Sequence, residues 1–117
     1  MTIADIRTQL LSVPFVEPPQ TGFLTLGDID LLLVEVERHD GVIGTGYLHP
    51  LAGGMRTLDM CIQEMFKPLL IGADADNVEE LWQKMWQATF IQGRMGITVM
   101  AQSALDIALW DLKGRAA

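Results

Sequence analysis

The segment from Gly96 to Arg115 constrains this chain more than any other part of it. Between Ile97 and Leu112 its strongly polar positions are Gln102, Ser103, Asp106 and Asp111, and Lys113, Gly114 and Arg115 then mark a helix end. A helix apolar on nearly every face has to be buried on more than one side. A chain of 117 residues is one domain's worth, and at 50% hydrophobic it is rich for that size. Most of the surplus lies in this helix, which predicts a face covered by something outside the domain.

Upstream the pattern changes to a period of two. Thr2 to Val13 reads as a strand ending at Pro14. Asp30 to Arg38 alternates Leu32, Val34 and Val36 against Glu35 and Glu37, the mark of a half-buried strand. His39-Asp40-Gly41 supplies turn chemistry, and residues 42–48 form the returning strand. Three helices follow, over about 56–67, 78–90 and 97–113. The first carries Leu58, Cys61, Ile62, Met65 and Phe66 at helical spacing and stops near Pro68. In the second, Asn77 and Glu80 have the spacing of a capping box, and Val78, Leu81, Trp82, Met85 and Trp86 form the stripe. Strands first and helices afterwards, without alternation, predict an α+β domain: a three-stranded antiparallel meander, then a three-helix bundle.

Ser103 to Gly114 resembles the last helix of the N-terminal capping domain in the mandelate racemase/muconate-lactonizing branch of the enolase superfamily. Val13-Pro14, the hairpin Asp40 to Gly44, Gly46-Tyr47, Lys67 to Gly72 and Val78 to Trp82 stand in that family's order, so the resemblance spans essentially the whole chain. In such enzymes a (β/α) barrel of more than roughly 200 residues follows at about this point. The resemblance implies that the barrel, absent from these residues, carries the acid/base groups and the magnesium ligands. Its chemistry is proton abstraction α to a carboxylate, which needs a Lys or His base and a set of acidic metal ligands. No Lys-x-Lys pair is present, and the fifteen acids fall on turns, caps and solvent faces. Asp74 and Asp76, at a helix start, suit its dipole better than a metal. No catalytic residue and no metal ligand is therefore expected in this chain.

The resemblance gives the domain a different task, specificity. Its two loops that close over a barrel mouth correspond to Phe15–Asp28 and Gly46–Arg56. The residues expected to face substrate are Pro19, Gln20, Thr21, Phe23 and Leu26 in the first, and Tyr47, His49 and Arg56 in the second. Apolar Phe23, Leu24 and Leu26 would exclude water on closure. Tyr47 offers a hydroxyl on an apolar ring, and Arg56 after Gly53-Gly54 could pair with a carboxylate. Each has a plainer reading: loop packing, edge packing, a solvated histidine, a tight turn. Gly93-Arg94-Met95-Gly96 is similar to a Gly-Arg-x-Gly found in acid-sugar dehydratases of the family, which points to a sugar-acid substrate over mandelate or muconate. Arg94 could equally form a salt bridge at a helix start.

The remaining expectations come from composition. A net charge of −7 with scattered lysines argues against nucleic acid and anionic membranes. No uncharged apolar run is long enough to span a bilayer, and no secretory leader stands before the first strand. One cysteine, Cys61, cannot form an internal disulfide and is expected buried and inert. Met60, Met65, Met85, Met95 and Met100 read as core filler. Asp106 and Asp111, in the apolar helix, are expected to be hydrogen-bonded or paired. Gly41-x-x-Gly44-x-Gly46 is no dinucleotide fingerprint, because its order is wrong and it lies in a hairpin. Together these predict a cytoplasmic capping domain of a magnesium-dependent acid-sugar dehydratase or hydroxy-acid racemase, homo-oligomeric when intact and inactive as 117 residues. The rival is a self-standing binding module that uses the terminal helix as its docking surface.

Overall fold

Leu32, Val34 and Val36 alternate along residues 28–38, so those three side chains face one side of a sheet. In the computed structural model, which describes residues 1–51 and 53–117, three strands pair in antiparallel order β1-β2-β3. They are β1 (Ile3–Pro14), β2 (Asp28–Arg38) and β3 (Ile43–Leu48). The register sets Ile6 opposite Val36, Leu10 opposite Leu32 and Val34 opposite Gly46. Ile6, Leu32, Val34 and Val36 are fully buried beneath the helices. Arg7, Leu33, Glu35, Thr45 and Tyr47 take the other face, which no helix of the described residues covers.

The helical half is α1 (Met55–Met60), a π-helical segment (Cys61–Phe66), α2 (Lys67–Leu70), α3 (Val78–Ala88) and α4 (Ile97–Ala116). The helix expected to stop near Pro68 instead runs on to Leu70. Proline lacks an N–H and crowds the carbonyl four residues back, here that of Glu64; the wider π turn just upstream accommodates both defects. Asn77 and Glu80 do not form a capping box: the Asn77 Nδ2 donates to Glu80 Oε2 at 2.6 Å, and its side chain caps no backbone N–H. Helix α3 ends at Ala88, where the Thr89 hydroxyl donates to the carbonyls of Met85 and Trp86.

Helix α4 lies on the sheet. Ala101, Ala104, Leu105, Ala108, Leu109 and Leu112 are buried at three- and four-residue spacing. The closeness of this contact depends on Gly44 and Gly46 in β3. A Cβ at Gly44 would stand 2.2 Å from the Ala108 carbonyl oxygen, and one at Gly46 would stand 2.3 Å from that of Ala104. Here the glycines of the hairpin have a packing role that the sequence pattern did not disclose. On the far side of α4, Ile107 and Trp110 each remain 47% exposed. The closing helix is thus not sheathed by its own domain.

The beginning of the chain is strapped to the segment after α2. Ile3 N–H donates to the Ala73 carbonyl and Ala75 N–H to that of Met1, each at 2.9 Å. Asp74 and Asp76 both approach the Met1 amine at 3.3 Å, and Asp76 also meets Arg38. These carboxylates hold the amino terminus, and Asp74 also accepts from Asp76 N–H at 3.2 Å just before α3. Lys67 locks α2 to β1 through the Ile6 carbonyl at 2.9 Å and Asp5 at 2.8 Å, and its ammonium lowers the Asp5 pKa. Cys61 is buried, and burial pushes its thiol pKa up. Of the methionines, Met85 is core and Met65 and Met100 pack against it, but Met60 and Met95 are exposed.

Candidate functional site

Antiparallel pairing puts both candidate loops at one end of the sheet. The β1–β2 connection leaves where Pro14 pairs with Asp28. The second loop leaves β3 at Leu48, which pairs with Leu32, four residues in from that end of β2. The other hairpin turn, with Asp40 and Gly41, is at the far end beside Arg38.

The first connection is a finger held by its own hydrogen bonds. Phe15 N–H donates to the Gly27 carbonyl at 3.1 Å, and Leu26 N–H to that of Pro19 at 3.0 Å. Gln20 bridges Thr25. At the tip Thr21 N–H donates to the Leu24 carbonyl at 2.7 Å, while the Thr21 hydroxyl accepts from Leu24 N–H at 3.0 Å. Pro19, Gln20 and Thr21 are exposed on this stem, and Leu24 and Leu26 are half-buried against it. Phe23 projects at the tip with 88% of its surface in solvent, and Val16 at the base is fully exposed. An aromatic ring on an ordered turn with nothing to pack against is an exposed apolar anchor.

The second loop supplies the other three candidates. Tyr47 is still within β3, opposite Leu33 on the uncovered sheet face, and is 58% exposed. His49 is half-buried with Nδ1 at 3.0 Å from the Asp30 carbonyl oxygen, which ties the loop to β2. Ala52, in the middle of this loop, lies outside the described residues. Gly53 and Gly54 both have φ near +85° and make the turn into α1, and Gly54 N-caps that helix. Arg56 is exposed in its first turn and pairs with no carboxylate among the described residues. Six of the eight candidates lie on the two connections, Tyr47 lies within β3 and Arg56 in the first turn of α1, and none of them lines either surface cavity. Two surface cavities, of about 260 and 200 Å³, are lined by other residues.

Among the described residues no group of three or more His, Cys, Asp or Glu could hold a metal ion. The acids near one another serve structure: Arg7 bonds Glu37 at 2.5 Å and Glu35 at 3.3 Å, and they raise its pKa. Asp111 accepts from Thr45 N–H at 2.8 Å and from Arg115 at 2.7 Å, bonds that lower its pKa. The described residues therefore do not fit a magnesium ion. Among the described residues Arg94 forms no salt bridge. Its guanidinium lies 4.2 Å from the Trp86 ring centroid and donates to the Trp86 carbonyl. No helix of the described residues is long and apolar enough to cross a membrane.

Comparison with known proteins places this geometry in context. Residues 5–117 match the family described as mandelate racemase / muconate lactonizing enzyme, N-terminal domain. The 3,6-anhydro-alpha-L-galactonate cycloisomerase of Streptomyces coelicolor is 37% identical over 115 residues, covering 96% of this chain and 31% of that protein. Arabinonate dehydratase of Saccharolobus solfataricus is 34% identical over 120 residues, covering 98% and 32%. A crystal structure of a racemase from Streptomyces coelicolor, with bound magnesium, superposes with a TM-score of 0.90 at 35% identity, covering 96% and 32%. The chain spans about a third of the length of the curated relatives it matches.

Proposed function

The chain belongs to the mandelate racemase/muconate lactonizing enzyme family, as that family's N-terminal domain, and from this premise we propose that it caps an enzyme acting on a small sugar acid. The cap closes the substrate site and selects what enters. Phe23 carries the reading: an aromatic ring left in solvent on a hydrogen-bonded finger, at the end of the sheet where the second loop also emerges. On closure the finger excludes water from above the substrate, which strengthens the charge interactions below it. Pro19, Gln20, Thr21 and Leu26 set its shape, and Tyr47, His49 and Arg56 border it from the second loop. A net charge of −7 gives the lid no general attraction for an acid, so the local cation Arg56 is assigned to the substrate carboxylate.

The chemistry is that of dehydration, racemisation or cycloisomerisation after proton abstraction α to the carboxylate. Its base, and the magnesium that stabilises the charge formed, belong to a catalytic barrel beyond these residues. The exposed Ile107 and Trp110 of α4 are assigned to interdomain or intersubunit contact in a homo-oligomer. The 117 residues alone are inactive. Assay against a panel of acid sugars with magnesium tests this: turnover above background by the purified chain would refute it. A chimera in which this chain replaces the matched third of arabinonate dehydratase tests the lid itself. It should turn over acid sugars, and Phe23→Ser in it should raise KM more than it lowers kcat. A chimera indifferent to Phe23 contradicts the assignment.

A further inference from the structure

Gly93-Arg94-Met95-Gly96 belongs to neither closure loop, yet helix packing carries it to the same end of the sheet. A Cβ on Gly46 would meet Ala104 and Ala108, and one on Gly44 would meet Ala108 and Leu112. Helix α4 therefore runs opposite to β3, and its first turn stands at the Leu48 end, where the second loop emerges. A direct contact agrees: a Cβ on Gly54, the N-cap of α1, would lie 3.8 Å from Ile97 Cδ1. The α3–α4 connection, residues 89–96, ends just before Ile97 and so adjoins the second loop.

This connection is held in shape from within. The Arg94 guanidinium lies 4.2 Å from the Trp86 ring centroid and 5.3 Å from that of Phe90, and it donates to the Trp86 carbonyl. Thr89, itself buried, closes the end of α3 through the Met85 and Trp86 carbonyls. Gly93 and Gly96 take φ values of +105° and +81°, which a side chain would resist. Arg94 is thus engaged inside the loop, and what the loop offers outward is apolar. Ile91 is 90% exposed and Met95 86%. Like Phe23, they stand on ordered backbone at the closing end with little of their own domain against them.

We propose that Ile91 and Met95 form a third wall of the closing surface, beside the second loop, and help select the acid sugar by setting an apolar face against its carbon-bound hydrogens. Arg94 positions them and touches no substrate. Two apolar side chains there exclude water from the edge that the finger does not reach, and the unbranched thioether of Met95 adapts to the shape beneath it. The wall has a function only if the finger and second loop close over substrate, so it rests on the lid reading.

The chimera with the arabinonate dehydratase barrel separates the two. Hydrogen peroxide converts exposed methionines to sulfoxides, which mass spectrometry follows residue by residue. With magnesium and saturating arabinonate, Met95 should oxidise more slowly than without them. Met1, 54% exposed at the opposite end of the sheet, should oxidise at an unchanged rate. Ile91→Ser and Met95→Ser should each raise KM for arabinonate by roughly tenfold and leave kcat within about twofold, the mark of lost uniform binding. The third wall is overturned, and the lid left standing, if finger amides are protected by arabinonate while Met95 is not. The same holds if Phe23→Ser raises KM while either serine variant keeps the parent value. Equal slowing at Met1 and Met95 also overturns it, and no response at either loop overturns wall and lid together.

Discussion

Replacing Gly44 by alanine should unfasten α4 from the sheet. The added Cβ would lie 2.2 Å from the Ala108 carbonyl oxygen, 2.4 Å from the Leu112 amide nitrogen and 2.5 Å from the Leu112 Cβ. Two of these atoms are helix backbone, so no rotamer change relieves the clash. Restoring ordinary contact requires moving the helix by about 1 Å, and a gap of that size forfeits a quarter to a half of the dispersion energy across it. Overpacking of this kind costs about 3 kcal/mol, offset by about 0.5–1 kcal/mol from the stiffer unfolded chain. The net loss, about 2 kcal/mol or more, is a large part of the roughly 5–15 kcal/mol that holds a domain of this size. It corresponds to a fall in Tm of roughly 8 °C or more. Urea and thermal unfolding followed by tryptophan fluorescence measure it, with Gly27→Ala as control because no atom lies within 4 Å of the Cβ there. The control should stay within about 0.5 kcal/mol of the parent. If Gly44→Ala matches the control, the close approach of helix to strand is not what these glycines provide.

Leu109→Ala, at a fully buried site on α4, should cost about 2–5 kcal/mol in the same unfolding experiment. Phe23→Ser should leave Tm unchanged, because the ring is 88% exposed and contributes little to the core. Gly114→Ala, in a helical position with nothing within 4 Å of the Cβ, should stabilise by up to about 1 kcal/mol. The pH dependence follows from Asp40, whose carboxyl the Arg38 guanidinium holds at about 2 instead of 3.8. Since the folded pKa is the lower one, its contribution is present above the ordinary value and lost as pH falls through about 2. Asp40→Asn should flatten the acid limb of a Tm-against-pH curve in that window; an unchanged limb excludes this ion pair as its cause.

The order of strands and helices was legible because each period is local: Leu32, Val34 and Val36 alternate, and Ala101, Ala104, Leu105 and Ala108 recur at helical spacing. What escaped the sequence depends on contacts between distant segments. Pro68 obeys a local rule that ends helices, and the π turn before it overrides that rule. Asp74 and Asp76 suit a helix start by position, and their further partners, the amino terminus and Arg38, come from distant segments. Gly44 and Gly46 stood in the returning strand with no role of their own in the sequence, yet they are small because a helix crosses them. Met60 and Met95 fit an apolar reading by type, but the fold leaves both in solvent. Of the candidate site, Phe23 was legible as an apolar residue in a loop. The hydrogen-bonded finger that displays it, and the uncovered sheet face that carries Tyr47, required the register.

Hydrogen exchange at the finger bears most directly on the capping claim. In the chimera with the arabinonate dehydratase barrel, amides across residues 20–26 should exchange more slowly once magnesium and an acid sugar are bound. Those of the opposite hairpin turn, residues 39–42, should not change. Unaltered exchange at the finger, or equal slowing at both ends of the sheet, would contradict a lid that closes over substrate.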